Sequence, residues 1–460
     1  MTWLHDKTIE MRRRVAEAKE QRAFPFFKPF ENVGSRVKVG SGSYINFTSN
    51  DYLGLSQARP LINAAIAGTE AYGTGMASAR LQAHSVRHQE LERRLARWMR
   101  FEACCNTTTG YQSLVGFLSA YLDDDVTVVV DRLNHASIMD GVLLAKGQHP
   151  DLELRLFRHN SMKHLDKCLR TAEHQKKMVV VEGLYSVDGD FSKLADIVEV
   201  CRKHDAVLVV DDAHGLGTMG PTGRGVGEIF GVLDEIDVLI GTFSKSFGTI
   251  GGFVLADQDV IDYMKLTARA FMFSAALPIP LVEAALSALD IIETDRSHQR
   301  RLEDNARFFR EGLLDLGFDL GESCTHITPI FVNDEHKTMA FGAYLYHGAG
   351  VIMMPFISPG VPVNTERLRC NVTSAHSRAE MGYTLEALAE VGGMLDIIPK
   401  GRKTRFSTAQ KALWLAENKL AGVRNGGLGF VANEVRAGFE KIDAWRTGKP
   451  LHPDLPDAAE

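Results

Sequence analysis

Residues 241–252 read Gly241-Thr242-Phe243-Ser244-Lys245-Ser246-Phe247-Gly248-Thr249-Ile250-Gly251-Gly252. They follow the apolar run 236–240, which has the character of a buried strand. One lysine, Lys245, stands between two serines just past that strand's end, with small residues on either side of the group. Such an amine is placed to form a Schiff base with a carbonyl, and pyridoxal 5'-phosphate (PLP) is the common partner for that chemistry. The hydroxyls of Thr242 and Ser244 are candidates for binding a phosphate. The plainer alternative is a strand-to-loop turn carrying an ordinary exposed lysine.

Working outward, the same punctuation recurs. Apolar strands are expected at 126–130, 178–181 and 206–210, each followed by a polar exit and then a helical stretch (138–145 and 194–204 among them). All-apolar strands separated by helices imply a mainly parallel sheet with crossovers. Ligands of such sheets gather at the carboxyl ends of the strands. His135, Ser186, Asp211, His214 and Lys245 all fall at such ends. Any one of them alone reads equally as a cap or a core polar group, but the five together point to a site.

PLP chemistry assigns them roles. A carboxylate must oppose the pyridine nitrogen, and Asp211 comes off a buried strand. His214 and Ser186 are donors for the ring oxygen, and His135 can stack on the ring. Gly110 and Tyr111, at the start of an apolar helix (114–122), join Thr242 and Ser244 as the phosphate cradle, because a helix N-terminus is a ready anion site. Four further residues are candidates for substrate binding. Asn50 and Tyr52 stand at the exit of a hairpin formed by 37–39 and 44–47. Arg80 closes a Gly-rich loop, 72–80, that can approach a phosphate or carboxylate. Arg369 lies within an otherwise apolar strand pattern (368–372), where an arginine calls for a carboxylate partner.

The chain has 460 residues, a formal charge of −6 and six cysteines with no CxxC pair or zinc-ligand spacing. Nothing in the balance suggests nucleic acid, no metal site is expected, and the free thiols fit a reducing cytoplasm. There is no signal-peptide h-region and no apolar run long enough for a membrane span. The expected organisation is an N-terminal arm and hairpin (1–49), a large domain (50–295), a small α+β domain (296–400, with strands near 327–332, 350–354 and 368–372) and a helical extension (401–460). The extension should hold helices at 410–420 and 431–445, a Gly-rich turn at 422–429 and a disordered end, 450–460. Its basic run, 400–405, reads as a solvated linker or as a peripheral contact with acidic lipid head groups at the inner membrane.

These motifs bring a family into view. Ser49-Asn-Asp-Tyr-Leu-Gly-Leu55, Asn134-His-Ala-Ser137, Glu182-Gly-Leu-Tyr-Ser-Val-Asp-Gly-Asp190, Val210-Asp-Asp-Ala-His-Gly215 and Gly241-Thr-Phe-Ser-Lys-Ser246 resemble those of the α-oxoamine synthases, PLP enzymes of fold type I. The resemblance runs from about 45 to 395. Phe157-Arg-His-Asn-Ser-Met-Lys-His-Leu-Asp166, Gly223-Arg-Gly-Val-Gly-Glu228, Thr242-Phe-Ser-Lys-Ser-Phe-Gly-Thr-Ile-Gly-Gly-Phe253 and Leu368-Arg-Cys370 are similar to the bacterial serine palmitoyltransferase branch, whereas Gly75-Met-Ala-Ser78 is closer to the 2-amino-3-ketobutyrate ligase branch. The resemblance implies a homodimer with a shared active site, in which Ser274 reaches the partner's PLP phosphate. It implies that Asn50 and Arg369 hold the amino-acid carboxylate. It also implies condensation of an L-amino acid, serine on this reading, with an acyl-CoA such as palmitoyl-CoA, giving 3-ketosphinganine, CoA and CO2. The alternatives are a synthase using glycine or alanine with another acyl-CoA, of the ketobutyrate ligase or oxononanoate synthase type, and a non-catalytic partner subunit, which would be expected to lack the lysine.

Overall fold

The computed structural model describes residues 2–20 and 24–421. Short hairpin strands β1 (Arg36–Val39) and β2 (Gly42–Asn46) come first, and then the strands of a seven-stranded sheet: β3 (Ala103–Thr107), β4 (Val126–Asp131), β5 (Glu153–Phe157), β6 (Lys176–Glu182), β7 (Ala206–Asp211), β8 (Val238–Thr242) and β9 (Gly252–Ala256). Their spatial order is β3-β9-β8-β7-β6-β4-β5. Strands β8 to β5 run parallel, and β9 lies antiparallel to both of its neighbours. The central strands are valine-rich because both of their faces are covered. Val179, Val181, Leu208 and Val210 enter one core with Leu91, Trp98, Leu165 and Leu289. Val180 and Val209 face the other way, toward Leu114, Phe117, Ile138 and Met264. That is the period of two expected of a strand sandwiched between helical layers.

A second unit follows the long helices Ile279–Thr294 and Ser297–Leu316. Strands β10 (Ile327–Phe331), β11 (Val351–Ile352), β12 (Met354–Phe356) and β13 (Arg367–Asn371) complete the strand set. The order β10-β13-β12 is antiparallel throughout, and Phe309, Phe341, Leu368 and Leu385 fill its core. The expected strand at 350–354 is thus two short strands in different sheets. Strand β11 pairs instead with β2, in parallel, so the hairpin, expected in an arm of its own, forms one sheet with the second unit. Ile45 and Phe47 enter that unit's core.

The extension begins as a folded strap. Helix Thr408–Leu420 starts with a capping box of Ser407 and Gln410 and packs on helix Arg378–Met394, Trp414 lying against Gly382. Phe406 stacks on Phe308 at 5.6 Å and meets Trp414 edge-on at 4.8 Å. Asn418, 1% exposed, donates to the Ala379 carbonyl (3.1 Å) and accepts from Arg36 of β1 (2.8 Å). In the basic run, Lys400 pairs with Asp396, and Arg405 with Glu311 and Asp315, so two of its cations are engaged by acids of the same chain. The expected turn at 422–429, helix at 431–445 and end at 450–460 lie outside the described residues. At the other end, the charged stretch 6–22 forms helix Ile9–Glu20. No helix of the described residues is long and apolar enough to cross a membrane.

Candidate active site

Strand β8 delivers Lys245. Phe243, one residue past the strand, is buried with Phe247 and Phe253 at 5.2 and 5.0 Å. The Ser246 hydroxyl donates to the Leu216 carbonyl at 2.5 Å. These anchors fix the turn. Gly248 adopts φ +66°, and a Cβ there would stand 2.5 Å from the Ser56 nitrogen, so only glycine lets the turn approach the 49–56 loop. Desolvation lowers the Lys245 pKa to about 8, with Asp211 and Glu182 pulling against it. An amine with that pKa is deprotonated in part near neutrality, as a Schiff-base lysine must be.

Asp211 ends β7, buried; burial raises its pKa and the charges of Lys245 and His135 oppose the rise. Its Oδ1 accepts the Ala213 N–H (3.1 Å), and the next residue is His214. The His214 ring is neutral, because burial and the Lys245 and Arg369 charges push its pKa well down. Its Nδ1 lies 2.7 Å from the Tyr52 hydroxyl, which also stands 3.1 Å from Asn50 Oδ1. Asn50 Oδ1 in turn accepts from Arg369 (2.9 Å) and Asn371 (3.0 Å). A continuous polar chain therefore runs from His214 on the large sheet to Arg369 on β13. Tyr52 has one proton for two acceptors. Given to His214, it leaves Nε2–H as the ring's free donor; given to Asn50, it leaves Nε2 an acceptor.

Arg369 was expected to pair with a carboxylate. Its bonds here are to Asn50 and Asn371, and no carboxylate of the described residues pairs with it, so its charge is available to a substrate carboxylate. Arg80 is placed differently from its expected role. It is 3% exposed and bonds Glu92 (2.9 Å), Asn106 Oδ1 (2.9 Å) and His84 (3.1 Å). Buried Glu92 would otherwise be an uncompensated charge. The arginine's fork is taken up there rather than held open for a substrate.

His135 caps helix Ala136–Gln148, its Nδ1 held at 2.7 Å from the Ser137 hydroxyl while the ring remains exposed. Ser186 is buried on the loop leaving β6, and its N–H donates to Glu182 Oε2 at 3.2 Å. Gly110 begins helix Gly110–Tyr121, and a Cβ on it would stand 3.0 Å from Thr242 Cβ, so the helix N-terminus closes tightly on the Lys245 turn. Thr242 donates to the Gly251 carbonyl (2.8 Å) and receives the Ser244 N–H (3.2 Å); the exposed hydroxyl of this cradle is that of Ser244. The Tyr111 phenol donates to Asp140 at 2.8 Å, which leaves its backbone as its offering to an anion. Ser274 lies on the connector after helix Arg269–Met272, and that connector is tied to the Gly-rich loop by the Ala276 N–H to the Ser78 carbonyl (2.9 Å).

Several site residues escaped the sequence reading. His159 is clamped between Asp131 (3.1 Å) and Asp190 (2.8 Å). These bonds overcome desolvation and raise its pKa to about 10, so it is a cation that pins the Ser186 loop to β4. Asp188 of that loop pairs at 2.5 Å with Arg367 of β13. His326 is buried edge-on to Tyr52 at 4.1 Å, with a pKa lowered to about 3 by desolvation. Asp212 and Glu182, both buried carboxyls, sit beside Asp211 with pKa values raised to about 8 by desolvation. His159, Glu182, Asp188 and Asp212 lie within motifs that carry the family resemblance without being singled out there, and no local signal marked His326.

The donor set fits PLP: a partly neutral lysine, a buried carboxylate, an exposed imidazole beside them, and a glycine-tight helix N-terminus flanked by a serine hydroxyl.

Comparison with known proteins gives the same assignment. Residues 43–388 match the family described as Aminotransferase class I and II. The chain is similar to the 8-amino-7-oxononanoate synthase of Thermoanaerobacter pseudethanolicus, 35% identical over 402 residues, covering 86% of this chain and all of that one. It is 37% identical over 369 residues to the enzyme of the same name from Geobacter metallireducens, covering 79% and 93%. In three dimensions it superposes with a TM-score of 0.81 on a serine palmitoyltransferase variant from S. paucimobilis bearing a bound PLP–myriocin aldimine, 30% identical, covering 85% of this chain and 99% of that one.

Proposed function

The chain belongs to the aminotransferase class I and II family and, within it, to the PLP-dependent α-oxoamine synthases, and we propose that it condenses alanine with a seven-carbon dicarboxylic acyl thioester. The observation that carries the choice is the sequence identity of 35% and 37% to oxononanoate synthases over nearly their whole length. The name of their product fixes the substrates chemically. In 8-amino-7-oxononanoate the amino-bearing carbon and its methyl are the Cα and Cβ of alanine. The remaining seven carbons are the acyl group.

Bound PLP supplies an electron sink for charge developed at the amino acid's Cα. The residues of this chain do the rest on the proposed assignment. Lys245 would hold the cofactor, and its freed Nζ would take the Cα proton of the amino acid. Asp211 would present a negative charge to the pyridine nitrogen. His135 would lie against the ring, and His214 and Ser186 would bond its oxygen. Gly110, Tyr111, Thr242 and Ser244 would take the phosphate, joined by Ser274 from the partner of a homodimer. Arg369 and Asn50, with Tyr52 behind Asn50, would orient the substrate carboxylate. The Cα carbon would bond to the thioester carbonyl carbon as the C–S bond breaks and the thiol leaves; the resulting β-keto acid would lose CO2, and Lys245 Nζ would return a proton to Cα.

A second reading, serine with palmitoyl-CoA, is favoured by the TM-score of 0.81 to a serine palmitoyltransferase and by the Phe157-Arg-His-Asn160 and Leu368-Arg-Cys370 stretches. One experiment separates the two. Purified holoenzyme is given alanine, serine or glycine against the CoA thioesters of heptanedioic and palmitic acids, and thiol release is followed. Release with alanine and the diacid thioester alone supports the first reading. Release with serine and palmitoyl-CoA alone replaces it with the second. Release with neither pair overturns both. A cytoplasmic location is part of the proposal.

A further inference from the structure

Glu182 ends β6 and Asp211 ends β7, and the two are register partners on adjacent parallel strands. Partners in this position lie about 4.8 Å apart and point to the same face. Both side chains are buried, Glu182 at 2% exposure and Asp211 at 5%. Glu182 Oε2 accepts the Ser186 N–H at 3.2 Å, and the His135 backbone lies close enough on the other side to help lower the carboxyl's pKa. Its Oε1 has no partner among the described residues. One carboxyl group thus bonds the backbone of one residue assigned to the cofactor and lies beside two others, His135 and Asp211.

The groups around it are named readily. Asp211 and Asp212 lie at the exit of β7, Lys245 beyond them, His135 on the opposite side and Tyr185 on its own loop. The charge of Lys245 acts on all three buried carboxyls. Two adjacent carboxylates in a water-poor setting cannot both ionise opposite a single amine, so a proton must be shared out.

We propose that Glu182 is a positioning residue of the cofactor site, a neutral carboxylic acid with its proton on Oε1. It accepts the N–H of Ser186 and leaves Asp211 as the ionised carboxylate that faces the pyridine nitrogen. The placement of Glu182 follows from the strand register. What it positions rests on the PLP assignments above. Oε1 is the oxygen left to carry the proton, because Oε2 is engaged as an acceptor. The raised pKa of the group, driven first by desolvation and then by Asp211, agrees with this state near neutral pH.

The test is chosen so that it can fail without the cofactor assignment failing. In apoprotein, a buried neutral glutamic acid binds a proton that its unfolded counterpart releases. Its folded pKa lies above its unfolded value, so the stability it contributes is present below the unfolded pKa and lost as pH rises toward about 8. Glu182→Gln keeps the shape, the acceptor and a donor at the Oε1 position, and removes the titration. The unfolding constant of wild-type apoprotein divided by that of Glu182→Gln should therefore climb by nearly tenfold per pH unit between about pH 6 and 7.5. Asp212 titrates in both proteins and cancels. In the holoprotein, Glu182→Gln should bind PLP within about threefold of wild type and keep the pH profile of the cofactor's visible band, because no charge is lost. Glu182→Leu, which leaves the Ser186 N–H without its acceptor, should weaken PLP binding at least tenfold. A pH-independent ratio of unfolding constants, or a Glu182→Gln protein that loses PLP as Glu182→Leu does, overturns the proposal. Should Glu182→Gln not fold, infrared spectra of wild-type apoprotein labelled with 13C-glutamate decide the matter: a glutamic-acid carbonyl band at pH 7 supports the neutral acid, and its absence overturns it.

Discussion

A lysine amine must be unprotonated part of the time to attack a carbonyl, and an arginine must have charge to spare to hold a carboxylate. Burial meets the first condition by lowering the Lys245 pKa to about 8. Neutral partners meet the second, because Asn50 and Asn371 orient Arg369 without neutralising it. Replacing Arg369 with alanine should raise the KM for the amino acid by about 10- to 100-fold, the worth of a charge-assisted bond, with a smaller effect on KM for the thioester; steady-state kinetics of thiol release check this. Arg80→Lys should act differently. The buried Glu92 and Asn106 bonds would be remade incompletely, costing about 1–3 kcal/mol of stability in denaturant titration while leaving the amino-acid KM near that of wild type. The contrast between two arginines, each expected from sequence to bind an anion, shows what a single sequence hides. The partner of Arg80 is a glutamate twelve positions on, on the far side of a turn, and nothing local announces it. Glu182 and His326 were hidden likewise, since their neighbours come from other strands.

Among the elements, the loop from 183 to 192 carries Ser186, one of the two residues proposed to bond the cofactor's ring oxygen. It is tied to β4 by the His159 clamp and to the second unit by Asp188–Arg367 and by Gly189. At φ +70°, Gly189 lies so close to the Ile327 carbonyl that no side chain fits. The folded pKa of His159 is raised to about 10. Its contribution to stability is therefore complete below its unfolded value, near 6.5, and is lost as pH rises through about 10. Thermal melting should show wild type losing stability over that window and His159→Gln showing a shallower fall. Gly248→Ala forces a left-handed residue and a 2.5 Å clash with backbone, and should cost about 1–3 kcal/mol. Strands were legible where they are valine-rich runs: β4, β6, β7 and β8 were all expected close to where they lie. Strand β5 (Glu-Leu-Arg-Leu-Phe) was not, because a charged edge strand lacks an apolar run. Strand β3 was not, because Ala-Cys-Cys-Asn-Thr carries no β-branched signal until its last residue. The glycines of 251–252 disguised the start of β9 as loop.

At the scale of the molecule, the two units meet along a polar seam: His214, Tyr52, Asn50 and Arg369 on one line, Asp188 and Arg367 on another. Small-unit residues thereby act on chemistry placed by the large sheet. The hairpin joins the small unit because β2 finds its parallel partner in β11, a long-range pairing that no hairpin signal encodes. The strap at 401–421 adds a second tie, through Asn418 and Arg36. Trp414→Ala would open a gap over Gly382 and Phe406 and should cost about 2 kcal/mol, somewhat below the value for a fully buried tryptophan. Calorimetry should show the melting temperature fall, with the cofactor's visible absorption unchanged. The fold class was readable because strand exits and helices alternate. The choice among substrates was not, because every synthase reading shares the lysine, the aspartate and the cradle, and differs in how the amino-acid side chain and the acyl group are received.

Lys245, at the carboxyl end of β8, is the residue proposed to hold PLP. Holoenzyme reduced with borohydride, digested and read by mass spectrometry should carry a pyridoxyl phosphate adduct on the peptide containing Lys245 and on no other. An adduct on a different lysine, or no adduct on a protein that binds PLP, would overturn that assignment.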